Sequence, residues 1–228
     1  MNKMRSAIIA LTAGASALWF AGPAWAQQKE VLIGMQCDRT GATQITGVVL
    51  CPAMHDYYDL INAADGVDGY MIRADEIDNE YKVPQAVEAY QRHKHEGAVL
   101  MTLYGTPMTV ALNQRLEEDK IATTSPGFGI AAAADGTRYP YLFPIAATYW
   151  SQGAAAVQFV KDKLGGSLKG KKIAYIFYDN PAGKEPLPIV DELEKREGFE
   201  LRTFAVPPPG WRWERRSSTS PSASGRTS

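Results

Sequence analysis

Short apolar runs and amphipathic segments take turns along this chain from residue 31 to residue 206, and that alternation restricts the fold more than any other feature. Strands are read over 31–36, 70–77, 98–103, 121–124, 141–145, 172–178 and 199–206. Helices are read over 47–64, 84–96, 108–118, 151–164 and 187–197. Strands separated by helices specify an α/β fold, a parallel sheet flanked by helices on both faces. The run Ala98-Val99-Leu100-Met101-Thr102-Leu103 is almost continuously apolar, as expected of a strand covered on both sides. Pro84 suits the first turn of its helix, where a missing N–H costs nothing.

The richest local signal is the fifteen-residue stretch from Asp59 to Arg73. Tyr57, Leu60, Ile61 and Ala64 recur at three- and four-residue spacing, which places them on one side of a helix. Asp65-Gly66 stops that helix, because glycine enters the left-handed conformation of a helix end at little cost. Asp68-Gly69 is a second turn signal, and Tyr70-Met71-Ile72 opens a strand.

Residues 1–26 read as a secretory signal peptide. Lys3 and Arg5 give a positive start, an apolar run follows over 7–18, and Ala24-Trp25-Ala26 is a small-x-small cleavage pattern before Gln27. The apolar run is short of the roughly 18 residues a membrane span needs, as is every later one. The expectation is an exported, periplasmic protein. Of 24 Lys+Arg, two lie in that segment and four in the tail (Arg212, Arg215, Arg216, Arg226), leaving 18 between them. Of 25 Asp+Glu, only Glu214 falls outside the body, so the body carries a net charge of −6. Nucleic-acid binding, which shows itself as a clustered basic face, is not expected.

A seam is placed at 144–150. The domain reading is a first α/β lobe over 27–145 and a partial second lobe over 146–210, since only two strands and two helices are recognisable there. After Pro207-Pro208-Pro209-Gly210 the sequence becomes Trp211-Arg212-Trp213-Glu214-Arg215-Arg216 and then Ser/Thr/Gly-rich. Such composition cannot bury a core. The segment 211–228 reads as a disordered, frameshift-like tail, with a natural tail as the alternative. Shifting the frame by one base restores a plausible helix start, and the expectation is a second lobe left incomplete and binding crippled by truncation.

Cys37 and Cys51 are the two cysteines. In an exported chain a disulfide is allowed; two free buried thiols are the other reading, because spacing does not determine geometry. No metal site and no cofactor is expected. His93 and His95 flank Lys94 beside Glu96 and read as a solvated helix end. His55 stands next to Asp56, but adjacent helix residues point in different directions.

Three loops fall after strands, where an open parallel sheet binds its ligands. They are residues 37–44, residues 104–109 and residues 125–129. Each mixes glycine, hydroxyl groups or an amide, and two carry an aromatic residue. Glycines admit a ligand close to the backbone, and helix starts offer free N–H groups to a carboxylate. Turn chemistry alone also accounts for such residues. Tyr104 and Phe128 fit either ligand walls or core caps. Arg39 fits a salt bridge or a contact, and Tyr149 and Trp150 fit a cleft lining or a helix start.

Val31-Leu32-Ile33-Gly34, the run from Asn62 to Tyr70, Gln85-Ala86-Val87, Ser125-Pro126-Gly127 and Ser151-Gln152-Gly153 occur in an order that resembles the leucine/isoleucine/valine-binding protein family. The resemblance extends over residues 30–206. It implies the type I periplasmic binding fold, in which two α/β lobes close on a small molecule and deliver it to the permease of an ABC transporter. This chain would supply the first lobe and part of the second. The ligand implied is a branched-chain amino acid or a related amino acid or amide. Family contacts carry over onto Tyr104, Gly105, Thr106, Phe128 and Gly129; a first-loop tyrosine of some members aligns with Thr46, and Tyr149 at the seam is added as a candidate. A second-lobe tyrosine is replaced near Ala182.

Two rivals stand beside uptake: a periplasmic sensing module for a membrane receptor, and a hydrolytic enzyme. Against an enzyme, the sequence lacks a Gly-x-Ser-x-Gly elbow, a phosphate loop and a metal-spaced histidine set.

Overall fold

A computed structural model describes residues 29–125 and 129–207. The signal-peptide reading, Phe128 and the frameshift reading of the tail lie outside the described residues.

The chain forms β1 (Lys29–Cys37), α1 (Gln44–Ala63), β2 (Tyr70–Asp78), α2 (Val83–His95), β3 (Leu100–Thr102), α3 (Thr106–Asp119), β4 (Ala122–Ser125) and β5 (Leu142–Pro144). It continues with α4 (Tyr149–Lys163), β6 (Lys172–Tyr178), α5 (Pro181–Lys184), α6 (Leu187–Glu197) and β7 (Glu200–Val206). The first five strands make one sheet in the order β2-β1-β3-β4-β5, every pair parallel. β6 and β7 form a separate parallel pair. The parallel sheet flanked by helices is therefore as the alternation implies. Two short pieces escape the periodicity: a turn of 3-10 helix at Ala131–Ala134 and the four-residue α5. Neither is long enough to show a period.

The core of the five-stranded sheet contains Leu32, Tyr90, Met101, Leu103, Leu112 and Leu116, all buried. Met101 and Thr102 are enclosed, as befits a central strand lying between β1 and β4. A second cluster (Val157, Leu168, Val190, Leu193, Phe199) packs α4 and α6 against β6 and β7. The third, Met35, Cys37, Cys51 and Tyr104, lies under the carboxyl end of β1. There Cys37 and Cys51 form a disulfide with Cα atoms 6.3 Å apart. Closing a loop of that size contributes about 3 kcal/mol in the chain-entropy picture.

α1 ends where its sequence says it must. Gly66 N–H donates to Ile61 O at 3.0 Å, with Asp65 and Gly66 both at positive φ. Asn62 then reaches across to β2: its Nδ2 donates to Ile72 O, and Ile72 N–H donates to its Oδ1, each at 2.8 Å. β2 is an edge strand, and this double bond occupies backbone groups that an edge otherwise leaves open.

His93 corrects the sequence reading. It is fully buried, whereas His95 is exposed. Its ring packs against β1, where a side chain at Gly34 would collide with it. His93 Nε2 lies 3.2 Å from Asp75 Oδ2, off hydrogen-bonding alignment. Burial lowers its pKa, against the pull of Asp75 and Glu96. The neighbouring charges Arg92, Lys94 and Glu96 masked an inward-pointing position.

Candidate functional site

With β1 to β5 all parallel, their carboxyl ends share one edge. The order 2-1-3-4-5 reverses between β1 and β3, and the crevice outside such a reversal is where open sheets bind ligands. The loops after β1 and β3 flank it.

The loop after β1 is built around Asp38. This buried carboxylate accepts hydrogen bonds from Gly41 N–H (2.5 Å), Thr43 N–H (2.6 Å) and the Thr43 hydroxyl (2.6 Å), just ahead of α1. Arg39 turns away from the crevice and grips Glu76 with both Nε (2.6 Å) and a terminal nitrogen (2.8 Å). His55 Nε2 meets the same carboxylate at 2.8 Å. Burial pushes the Glu76 pKa up, but the bonds from Arg39 and His55 outweigh it and hold the carboxyl below its ordinary value. Arg39 is thus a salt-bridge residue. Thr46 sits exposed in the first turn of α1.

The loop after β3 carries Tyr104, Gly105 and Thr106. Tyr104 is fully buried, with its hydroxyl donating to Thr43 O at 3.3 Å, so it braces the first loop from beneath. Gly105 caps α3 at φ 101°, a conformation natural to glycine alone. Thr106 opens α3; its hydroxyl is buried and lies 3.1 Å from the hydroxyl of Tyr149, the first residue of α4. Burial raises the Tyr149 pKa. At the end of β4, Ser125 is buried and its Oγ has no hydrogen-bond partner among the described residues. Gly129 pairs with Thr148, and its carbonyl accepts Tyr149 N–H at 2.7 Å. The fold thereby brings Thr106, Gly105, Gly129 and Tyr149 to one place, with Tyr104 one layer below and Thr46 at the rim.

Sequence reasoning missed the loop after β2. Glu80 and Tyr81 are consecutive non-glycine residues at φ 52° and 55°. The side chains before them hold that conformation: Asp78 Oδ1 accepts Glu80 N–H (2.9 Å) and Asn79 Oδ1 accepts Tyr81 N–H (2.9 Å). Buried Asn79 also donates to Tyr104 O at 3.0 Å and to Gln36 Oε1 at 3.2 Å. The result lays the half-buried Tyr81 ring over Gly105, its Cε2 2.8 Å from where a β-carbon would stand. Burial pushes the Tyr81 pKa up to about 12, helped by the nearby Tyr149, Tyr104 and Asp38. The strand-end rule that located the other loops applies equally to β2 and is the signal that would have found it.

Glu185 spans the seam. Its Oε1 accepts Ala131 N–H at 2.6 Å and its carbonyl accepts Trp150 Nε1–H at 3.0 Å. The site as a whole offers hydroxyls, backbone N–H groups at the start of a fourteen-residue helix and tyrosine rings. That set suits a small molecule with a hydrogen-bonding or anionic end.

An open, parallel-sheet lobe with a polar crevice at its switch point defines a ligand-binding α/β protein. Residues 30–211 match the family described as periplasmic binding protein, and the chain belongs to that family. A fatty acid ABC transporter substrate-binding protein from Thermomonospora curvata is 26% identical, with a TM-score of 0.70 over 79% of this chain and 45% of its own. A Pseudomonas fluorescens group structure described as an ABC transporter permease is 33% identical, with a TM-score of 0.67 over 80% and 45%. A branched-chain amino acid ABC transporter structure from Thermus thermophilus with bound valine has a TM-score of 0.71 at 18% identity, over 80% and 46%, a likeness of fold. The chain spans about half the length of these structures. Comparison with curated proteins returns no match.

Proposed function

We propose that this chain acts as a solute-binding component of an ABC uptake system, taking a branched-chain amino acid or a related amino acid or amide in the periplasm and handing it to a membrane permease without chemistry of its own. The observation that carries the reading is the Thr106 hydroxyl, buried at the first turn of α3 beside the switch point and paired with Tyr149. A carboxylate placed there meets the free N–H groups of the helix start and the positive end of its dipole. Ser125 Oγ, at the end of β4, adds a buried hydroxyl without a partner among the described residues. Similar structures described as ABC transporter proteins favour transport over sensing or hydrolysis, and the bound ligands named for such structures include valine and 3,4-dihydroxybenzoic acid, both carboxylates.

Saturation-transfer NMR at millimolar L-leucine tests the site in the full chain, because it reads weak binding to an open lobe. Transfer to the ligand is expected, and Thr106→Ala should weaken it by about 1 kcal/mol, the usual worth of one hydrogen bond. Equal transfer in wild type and variant would move the site elsewhere.

A further inference from the structure

We propose that Tyr81 determines ligand specificity, and that its ring, laid over Gly105 beside the Thr106–Tyr149 pair, selects an amino acid with an aromatic side chain over an aliphatic one. The inference rests on the carboxylate reading of the α3 start given above and deepens it, narrowing the amino acids proposed there to an aromatic one in preference to a branched-chain one. Three observations carry it. First, the Tyr81 ring covers the residue that precedes Thr106, so a ligand whose carboxylate reaches the α3 N–H groups has its side chain beside that ring. Gly105 is the residue that permits this approach, since a β-carbon there would meet both Tyr81 and Met108.

Second, the ring is held rigidly. Glu80 and Tyr81 both occupy the left-handed region, and Asp78 and Asn79 pin that turn from β2 while Asn79 ties it to Tyr104 O on the neighbouring loop. Sparsely populated backbone states persist where surrounding structure over-determines them, and they concentrate at ligand-binding turns. Tyr81 also packs against the apolar cluster of Met35, Cys37, Cys51 and Tyr104, which holds it in place from beneath. Third, Tyr149 meets Thr106 hydroxyl to hydroxyl at 3.1 Å and lies near Tyr81, and Tyr175 lies close to Tyr149 with its hydroxyl donating to Gly183 O at 3.0 Å. The cleft side of the site is therefore tyrosine-rich. Rings attract rings through their quadrupoles beyond what area burial supplies, which an aliphatic side chain cannot match.

The test compares L-phenylalanine with L-leucine on the full chain by saturation-transfer NMR titration, in wild type, Tyr81→Phe and Tyr81→Leu. Both variants are checked for wild-type circular dichroism. Wild type should bind phenylalanine at least fivefold more tightly than leucine. Tyr81→Phe should keep that preference and Tyr81→Leu should reduce it to twofold or less, with leucine affinity little changed. If Tyr81→Leu fails to fold, intermolecular NOEs in the wild-type chain decide the matter: they must run from phenylalanine ring protons to tyrosine ring protons that Tyr81→Phe alters. Leucine bound as well as or better than phenylalanine in wild type overturns the assignment of Tyr81 and leaves the carboxylate site standing. So does an equal loss for both ligands in Tyr81→Leu. Binding of neither ligand overturns both readings.

Discussion

His93 shows how much one side chain's environment differs from its sequence neighbourhood. It sits among Arg92, Lys94, His95 and Glu96, yet it is the fully buried member of that group. Its folded pKa lies below the ordinary histidine value because burial disfavours the imidazolium, with Asp75 and Glu96 opposing and Arg92 assisting. The unfolded chain therefore binds more protons than the folded one around and below the unfolded value, and stability rises with pH there. Stability is expected to fall as pH is lowered from 7 towards 5, and His93→Gln should flatten that part of the profile. Urea midpoints measured across the range check it. A wild-type midpoint independent of pH in this window, or one that falls equally in the variant, would remove His93 as the source. Tyr81 makes the same point in another way. The positive φ at Glu80 and Tyr81 is held locally by Asp78 and Asn79, whereas the link that docks this turn on the loop after β3, Asn79 donating to Tyr104 O 25 residues away, has no local signature.

At the scale of elements, the sequence was legible wherever a periodic segment was long enough. Lys172–Tyr178 and Leu187–Glu197 fall where periodicity placed them, and the helix stop at Asp65-Gly66 follows from glycine's freedom. Strand order was not legible, since β1 and β3 are neighbours only after β2 has been folded to the other side. The carboxyl-edge loops followed once parallel pairing was assumed, which is why Thr106 and Gly129 could be named and the β2 loop was overlooked. The long helix α1 is instructive, because few of its residues are buried and Pro52 lies within it. The Cys37–Cys51 bond and Asn62 tie it to the sheet, together with Leu50, Met54 and Tyr58 packed on the cluster under β1 and the His55–Glu76 contact. Replacing Asn62 with Ala strips partners from Ile72 N–H and O and should cost about 1–2 kcal/mol. Chemical denaturation measures this, with hydrogen exchange at the Ile72 amide as a local report. An unchanged midpoint together with an equally protected Ile72 amide would show that the bridge is dispensable.

For the molecule as a whole, the two sheets have separate apolar clusters, with Leu32, Met101 and Leu112 in one and Val157, Val190 and Leu193 in the other. β6 and β7 leave Ile176 and Phe204 exposed on one face, whereas β1 and β3 in the larger sheet are enclosed. A two-stranded sheet is the weaker unit by this measure. Limited proteolysis is accordingly expected to cut first after Trp150 and to leave a resistant fragment of about residues 27–145, identifiable by mass spectrometry. First cuts inside β1, β3 or α3 would contradict the division at the seam.

The hydrogen bond between Thr106 and Tyr149 has a mechanical meaning. Thr106 opens α3 after β3 of the five-stranded sheet, whereas Tyr149 heads a helix whose buried Val157 packs in the cluster of β6 and β7. Any relative movement of the two sheets would set these two hydroxyls against each other as opposing jaws of a caliper. At 3.1 Å the contact is already at the long end of the O–H···O range, so a small separation of its two partners breaks it. The phenol environment of Tyr149 would then report such a movement, readable by ultraviolet resonance Raman without attaching any label.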